Sequence, residues 1–207
     1  MDSVEFFFDP ICPWAWVTSR WIKEVEKEGA VEVNWNFISL REVNSSRNYA
    51  DFPAGYSDIH GLGHNLLRVA AAIAEKYSNK EVDAFYTEVG TELHNNGKRD
   101  QFIAKAPIEE ILTKLGLDSS LASAFTDESW DAKLKETTEE ALSRTGRDVG
   151  TPIITFGAGG PSLFGPVMST VPKGKEAIEI FNAYKTLASR EDFYELKRAV
   201  RKAPTFA

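Results

Sequence analysis

The chain contains a single cysteine, Cys12, among its 207 residues. One cysteine excludes an internal disulfide framework and favours the reducing cytoplasm. The longest apolar stretch, Leu66 to Ala74, is interrupted by Arg68, so the sequence predicts no transmembrane helix and no membrane partner. The first five residues include no basic segment, so a secretory signal peptide is not expected.

Positive charge is also in short supply, because 24 basic residues face 31 acidic ones and the net charge is −7. This balance argues against binding to nucleic acids. The sequence has no phosphate-cradling glycine loop, no dinucleotide fingerprint and no serine-nucleophile turn, so no tightly bound nucleotide is expected. His60 and His64 are four residues apart, but they lie in a stretch predicted as a glycine-rich loop without a cysteine partner. A metal site is therefore not predicted.

Cys12 lies where a predicted strand gives way to a predicted helix. Residues 3–8 are rich in bulky, β-favouring side chains, which is typical of a covered strand. Asp9-Pro10 ends that strand, and Pro13 suits the first turn of a helix. A helix N-terminus stabilises a thiolate and lowers its pKa, so Cys12 is a candidate nucleophile. The alternative is a small buried hydrophobe, the usual fate of a lone cysteine.

The rest of the chain alternates between strand and helix patterns. A helix over 13–28 followed by a strand over 31–38 predicts a parallel pair with a right-handed crossover, the first half of a thioredoxin fold. Residues 41–64 are predicted as a long loop in which short helical turns are an open option. Helical periodicity within 65–146 predicts one helix from Leu66, one from Val82, one over Pro107–Leu115 and one from Trp130, with Leu121–Phe125 as an optional further helix. Strands over 153–156 and 162–164, joined by a glycine-rich hairpin connection, then precede helices over 174–188 and 192–200. This organisation predicts one domain from 1–44 and 147–207, with a loop and α-helical insertion over 45–146.

Residues 8–15 read Phe-Asp-Pro-Ile-Cys-Pro-Trp-Ala. They resemble the Cys-Pro-Trp-Cys active-site turn of DsbA-like thioredoxin-fold proteins, in particular the mycothiol-dependent reductases, which include DsbA-like mycoredoxins and mycothiol-dependent nitroreductases. Further likeness lies in Thr18–Ile22, His94-Asn95, Asp148–Pro152, Phe164–Val167 and Phe193–Arg198. The resemblance implies an α/β fold, a thioredoxin fold with an all-α insertion as in DsbA.

The resemblance also implies roles for individual residues. Cys12 would attack a disulfide, and Ala15 stands where the family has its second, resolving cysteine. The alanine suggests an introduced Cys-to-Ala change, although a native alanine stays open. Pro13 belongs to the same motif. Thr151-Pro152 resembles the cis-proline pair opposite the cysteine turn, whereas a trans proline at the start of a strand is the alternative.

The implied co-substrate is mycothiol, with disulfides or mixed disulfides as the other substrates and no tightly bound cofactor. Aromatic and amide groups suit its sugar better than the carboxylates of glutathione, and the chain offers Trp14, Tyr49, Tyr56, Asn95 and Thr151. His94-Asn95 is equally consistent with an ordinary helix C-terminus. Two other functions stay open, an enzyme like the kappa-class glutathione transferases and hydroxychromene carboxylate isomerases, and a non-catalytic binding module. The protein is expected to be a monomer or a homodimer.

Overall fold

The two ends of the chain form a four-stranded sheet in this computed structural model, which describes residues 1–199 and 202–206. Its strands, in the spatial order β2-β1-β3-β4, are β1 (Asp2–Phe8), β2 (Val31–Phe37), β3 (Ile153–Phe156) and β4 (Ser162–Phe164). β3 pairs antiparallel with both β1 and β4. The Asp2 N–H donates to the Ala30 carbonyl, and the Phe6 ring lies 5.1 Å from that of Trp35. Asp2 thus lies beside residue 30 and Phe6 beside residue 35, so residue numbers increase in the same direction along both strands. β1 and β2 are therefore parallel, as predicted.

Eight α-helices are present in the described residues. Their bounds are α1 (Pro13–Lys27), α2 (Leu40–Val43), α3 (Tyr56–Lys76), α4 (Asn79–Gly90), α5 (Arg99–Lys105), α6 (Ile108–Lys114), α7 (Asp131–Thr145) and α8 (Gly174–Ala188). Short 3-10 turns cover Tyr49–Asp51, Ser119–Thr126 and Glu128–Trp130, and a π-helical turn over Thr91–Asn95 continues α4. The sheet order and the helices between β2 and β3 are those of a thioredoxin fold with an α-helical insertion, so the predicted fold class is confirmed.

The chain divides into two compact units. The first comprises residues 1–8, 13–36 and 141–207, and the second comprises residues 9–12 and 37–140. The domain boundaries proposed from the sequence, at 44 and 147, stay a prediction.

In the first unit, α1 packs on β1 and on α8. Trp21 is completely buried in α1, its indole Nε1–H donates to the Ala177 carbonyl at 3.1 Å, and its ring lies 6.3 Å from that of Phe181. Arg144, near the end of α7, pairs with Glu5 of β1 and donates to the Thr155 hydroxyl. The buried Trp21 therefore joins α1 to α8, and the Arg144–Glu5 ion pair lies against β1.

The second unit is organised around α3, which contacts α2, α4, α5 and the turn over Ser119–Thr126. The helix includes a run of buried residues from Leu66 to Ile73. Such a helix, apolar on most of its surface, is typical of a central core element. None of the helices in residues 1–199 and 202–206 is both long enough and apolar enough to span a bilayer.

Three sequence-based assignments need correction. Residues 41–64 are not a loop throughout, because the first nine residues of α3, Tyr56–His64, lie within them, whereas α2 and the 3-10 turn over Tyr49–Asp51 fit the short helical turns expected there. α5 was not predicted, because its seven residues give little periodicity. Residues 193–198 are not helical, and Tyr194 and Leu196 are 84% and 76% exposed. An apolar stripe that nothing buries does not hold a short helix in water. Val200, at the end of that predicted helix, lies outside the described residues.

Candidate active site

Cys12 ends a tight turn, residues 9–12, that belongs to the second unit. Its side chain is buried, with 7% of the residue exposed, and its backbone N–H donates to the Asp9 carbonyl at 3.0 Å. Helix α1 begins at the next residue, Pro13. We call residues 9–12 the cysteine turn. The turn presents Cys12 directly before a helix N-terminus, where anionic groups are stabilised.

Asp9 holds the cysteine turn from within. Its carboxylate is fully buried and each oxygen accepts one backbone hydrogen bond, Oδ1 from Ile11 at 3.1 Å and Oδ2 from Leu40 at 2.8 Å. Burial raises the pKa of Asp9 to about 7 from its ordinary 3.8, and the two hydrogen bonds oppose this rise. The carboxylate thereby ties the turn to the first residue of α2.

A glycine of α3 makes room for the Asp9 carboxylate. A Cβ added at Gly63 would lie 2.4 Å from Asp9 Oδ1 and 2.9 Å from Ile11 Cγ2, both well inside van der Waals contact. Neighbouring Gly61 has open space at the same position. Gly63 is therefore needed for close approach of the helix to the turn.

His94, which is distant from Cys12 in the sequence, also supports the cysteine turn. The imidazole is buried, and its Nε2–H donates to the Pro10 carbonyl at 2.8 Å. Burial lowers the pKa of His94 to about 4, with the hydrogen bond to Pro10 opposing this shift. The ring is therefore neutral at pH 7, with its proton on Nε2. The π-helical turn that carries His94 is closed by the Asn96 N–H bonding to the Thr91 carbonyl at 3.0 Å.

An open groove of about 410 Å³ lies in the second unit, lined by residues of α2, α3, α5 and the 3-10 turns over Tyr49–Asp51 and Ser119–Thr126. Two of its lining residues are chain neighbours of residues that contact Asp9, because Arg41 follows Leu40 and Leu62 precedes Gly63. Tyr49, Asp58, Asn65 and the aromatic rings of Phe102 and Phe125 also line it. The groove combines aromatic walls with hydroxyl, amide and charged groups.

Tyr56 lies in an aromatic cluster at the start of α3. Its ring stacks on Phe52 at 5.8 Å and meets His60 edge-on at 5.4 Å, and the Tyr49 hydroxyl bonds to His60 Nδ1 at 3.0 Å. Tyr56 is 38% exposed, and Asn95 at the end of the π-helical turn is also exposed. The second unit thus holds Cys12, Tyr56, His94 and Asn95 of the predicted site residues.

The remaining predicted site residues belong to the first unit. Pro13 and Trp14 open α1 and are half-buried, whereas Ala15 is fully buried. The Thr151–Pro152 peptide bond is cis, and the Thr151 hydroxyl donates to the Phe7 carbonyl at 2.7 Å. Their roles in catalysis or substrate binding stay predictions.

The sequence did not reveal a second cis peptide bond, Gly165–Pro166. The Gly165 N–H donates to the Pro152 carbonyl at 2.8 Å, which joins the two proline segments directly. The Pro166 carbonyl accepts from the Thr18 hydroxyl of α1 at 2.7 Å. The motif Phe164–Val167 carries part of the family likeness, but no local pattern in it indicates the cis bond.

The two remaining histidines lie in α3, not in a loop, and both are buried. His60 bonds to Tyr49, whereas His64 bonds to Ser39 Oγ at 2.9 Å and to Asp131 at 3.0 Å. Burial lowers the pKa of both imidazoles. Among residues 1–199 and 202–206, no three His, Cys, Asp or Glu side chains are grouped so that they could hold a metal ion.

Sequence reasoning missed Asp9 and Gly63. Asp9 was assigned only to the end of a strand, where an acidic residue is usually solvated, and nothing local indicates that this carboxylate is buried. Gly63 was counted among the glycines of a loop. The one sequence feature that could indicate the role of Gly63 is a small residue on the face of α3 that otherwise carries larger buried side chains.

The fold and the cysteine turn define a DsbA-like thioredoxin-fold protein. Three solved structures illustrate the likeness: 2-hydroxychromene-2-carboxylate isomerase (TM-score 0.63, 15% identity, 89% of this chain and 93% of that one), the cytosolic disulfide reductase DsbM from Pseudomonas aeruginosa (0.55, 16%, 89% and 99%), and a probable DsbA oxidoreductase, SCO1869, from Streptomyces coelicolor (0.54, 16%, 96% and 95%). At these identities the likeness concerns the fold.

Within this class, the chain belongs to the Rv2466c-like family, described as mycothiol-dependent nitroreductase Rv2466c, whose model matches residues 11–198. A curated relative, the uncharacterized protein Rv2286c of Mycobacterium tuberculosis (strain ATCC 25618 / H37Rv), is 29% identical over 198 residues. The match covers 96% of this chain and 82% of that protein. The resemblance stated from residues 8–15 is confirmed at the level of the family.

Proposed function

We propose that this protein is a thiol–disulfide oxidoreductase in which Cys12 is the nucleophile. The observation that carries the proposal is the placement of the only cysteine, in a hydrogen-bonded turn directly before α1, in a chain of DsbA-like fold. The Cys12 thiolate attacks one sulfur of a disulfide, forms a mixed disulfide and releases the other sulfur as a thiolate.

Release from the mixed disulfide needs a thiol from outside the chain. Ala15 occupies the position of the resolving cysteine in the resemblance, and no other cysteine is present in the sequence. An incoming thiolate attacks the mixed disulfide, leaves bound to the former partner as a new disulfide, and returns Cys12 as a thiolate. The two electrons for reduction of the substrate come from low-molecular-weight thiols.

Mycothiol is the co-substrate that we propose. The family description supports it. The groove of the second unit supports it further, because Tyr49, Asn65 and Asp58 offer hydrogen bonds to a polyhydroxylated ring and the exposed Ile103 offers an apolar wall. The net charge of −7 disfavours the dicarboxylate glutathione. The substrate-binding roles predicted from the sequence for Pro13, Trp14, Tyr56, Asn95, Thr151 and Pro152 remain part of this proposal. His94 is buried and bonded to the Pro10 carbonyl, so we assign it to support of the cysteine turn.

The second candidate is an isomerase-like use of the site. A lone thiol without a resolving partner can orient a bound thiol without net oxidation or reduction. The fold is also similar to that of 2-hydroxychromene-2-carboxylate isomerase. The two candidates differ in covalent chemistry, because only the oxidoreductase forms a mixed disulfide at Cys12. A non-catalytic binding module would form no such adduct at a useful rate.

The test is intact-mass spectrometry after mixing the reduced protein with oxidised mycothiol or oxidised glutathione at equal concentration. We expect a single mycothiol adduct that persists without added thiol and forms at least tenfold faster than the glutathione adduct. The Cys12→Ser variant should form neither. An Ala15→Cys variant should lose the adduct without added thiol, because intramolecular attack has a high effective concentration.

Each outcome separates the candidates. Equal or faster reaction with glutathione would contradict the proposed co-substrate while leaving the exchange chemistry in place. No adduct with either disulfide would contradict the oxidoreductase. If the Ala15 protein and its Ala15→Cys variant lose the adduct equally fast, position 15 has no resolving role.

A further inference from the structure

The buried carboxylate of Asp9 has no part in the proposed chemistry, yet it is built into the turn that carries Cys12. Both of its oxygens are committed to backbone N–H groups from two segments, the turn itself at Ile11 and the start of α2 at Leu40. The side chain is 0% exposed, and Gly63 packs directly against it. Burial of an ionisable group lowers the stability of the folded protein, because the group loses its hydration. The presence of Asp9 at this position therefore indicates a role beyond packing.

The two hydrogen bonds depend on the charge of the carboxylate. An ionised carboxylate accepts at both oxygens, whereas a protonated one turns one oxygen into a hydroxyl, which is a much weaker acceptor for an N–H group. Protonation therefore weakens one of the two ties, to Ile11 or to Leu40. Ionisation restores both and places a negative charge near the sulfur that must itself ionise.

Asp9 is the group that changes charge near neutral pH in this part of the structure. The titratable and charged side chains on the surrounding segments include Cys12, Arg41 and Glu42 of α2, Tyr49 of the first 3-10 turn, Tyr56, Asp58, His60, His64 and Arg68 of α3, and His94. Burial keeps the three imidazoles neutral at pH 7, and it raises the pKa of Tyr49.

We propose that Asp9 is the positioning residue of the cysteine turn, and that gain or loss of its proton changes both the anchorage of the turn to α2 and the reactivity of Cys12. The inference rests on the proposed role of Cys12 as the reactive group, and it assigns to the same site a dependence on pH. Asp9 acts through the turn and through its charge, without contacting the substrate.

The first measurement uses the unmodified protein, so no variant needs to fold. The carboxyl ¹³C signal of Asp9 and the amide signals of Ile11 and Leu40 are followed by NMR between pH 5 and 9. We expect all three to titrate with one midpoint near neutrality, because one proton governs both hydrogen bonds. Amide signals that stay unchanged while the carboxyl titrates would overturn the anchorage.

The second measurement is the rate of Cys12 alkylation by iodoacetamide against pH. The unmodified protein should give two inflections, one of them at the Asp9 midpoint, whereas Asp9→Asn should give one. Removing the negative charge should also raise the rate about threefold at pH values below the thiol midpoint. Asp100→Asn, which neutralises an exposed aspartate of α5, is the matched control and should reproduce the two inflections.

The results distinguish the inference from the function on which it rests. Superimposable profiles for Asp9→Asn and the unmodified protein would overturn the role of Asp9, whatever disulfide Cys12 accepts. A coupled profile in a protein that forms no mixed disulfide would leave Asp9 as the positioning residue and remove the proposed function. If Asp9→Asn does not fold, the NMR titration and the alkylation profile of the unmodified protein decide the question.

Discussion

Two buried titratable side chains hold the cysteine turn, and burial shifts their pKa values in opposite directions. The pKa of Asp9 is raised to about 7 and the pKa of His94 is lowered to about 4. In both cases burial favours the neutral form of the side chain over the charged form. For the carboxyl, the folded pKa lies above the unfolded value of 3.8, so stability falls as pH rises between about 4 and 7. For the imidazole, the folded pKa lies below 6.5, so stability falls as pH drops from 6.5 towards 4.

The opposite pH dependences of stability that Asp9 and His94 contribute predict how a substitution of His94 changes the stability of the protein. In His94→Gln the amide can still donate to the Pro10 carbonyl, but nothing at that position titrates. The stability difference between the unmodified protein and the variant should shrink by roughly 2 to 3 kcal/mol as pH falls from 7.5 to 4.5, since each pKa unit corresponds to about 1.4 kcal/mol. Urea unfolding at a series of pH values measures this difference.

The Asp9→Asn variant is the matched comparison, because its deviation has the opposite sign. Its stability relative to the unmodified protein should increase as pH rises from 4.5 to 7.5. Parallel stability curves for the three proteins would contradict the assigned pKa shifts.

The sequence singled out Cys12, Trp14 and Ala15 because the motif around the only cysteine is local, and it singled out His94 only through the family resemblance. It did not single out Asp9. Whether a carboxylate at the end of a strand is solvated or buried depends on the elements packed over it, here α2 and α3. Those elements are distant in the sequence, so no local pattern carries that information.

At the scale of elements, the position of α3 against the cysteine turn is set by one missing side chain. Gly63 leaves space for the Asp9 carboxylate, and Gly61, two residues earlier in the same helix, faces open space. Both glycines weaken the helix equally by propensity, by about 1 kcal/mol relative to alanine. The pair therefore separates helix propensity from packing.

We expect Gly61→Ala to stabilise the protein by roughly 0.5–1 kcal/mol, because helix propensity improves and no atom is in the way. Gly63→Ala should instead destabilise it by roughly 1–3 kcal/mol, because the new methyl overlaps a carboxylate that two hydrogen bonds hold in place. Chemical denaturation of both variants measures the two changes. Equal changes of the same sign would show that α3 does not depend on this close approach.

The helices illustrate what periodicity predicts and what it misses. The cores of α3, α4, α6 and α7 were predicted because their apolar residues recur at helical spacing. The start of α3 at Tyr56 was missed, since glycines and polar residues dominate Tyr56–His64 and burial of His60, Leu62 and His64 arises only in the folded unit. For residues 193–198 the error is the opposite one. Their spacing predicts a helix, but no other part of the described structure buries their apolar side chains, so the helix does not form.

At the scale of the whole chain, the second unit is closed by a polar network between distant segments. Asp131, at the start of α7, accepts from Arg68 Nε at 2.6 Å and Nη2 at 2.8 Å, and from His64 at 3.0 Å. His64 continues the network to Ser39. Arg68 is 4% exposed, so the Asp131 carboxylate, rather than water, compensates most of its buried positive charge.

Asp131→Asn should cost about 2 kcal/mol of unfolding free energy, less than a fully buried pair would, because the Asp131 side chain is 37% exposed. Arg68→Met combined with Asp131→Asn should cost less than the sum of the two single changes, since the double variant leaves no unpaired charge. Urea denaturation of the four proteins in this cycle provides the coupling energy. Strict additivity would mean that the ion pair contributes nothing to the unit.

The sequence by itself determined the class of this protein, because the strand, the turn, Cys12 and the start of α1 lie within sixteen consecutive residues. It also predicted the parallel pairing of β1 with β2 and the β3–β4 hairpin, since a strand–helix–strand unit with a short return forms a right-handed parallel pair. The tertiary structure alone decided the burial of Asp9, the contact of Gly63, the tie from His94 to Pro10 and the cis bond at Gly165–Pro166. Each of these depends on which distant segments pack together, and packing, not local pattern, sets the burial that shifts a pKa or excludes a methyl group.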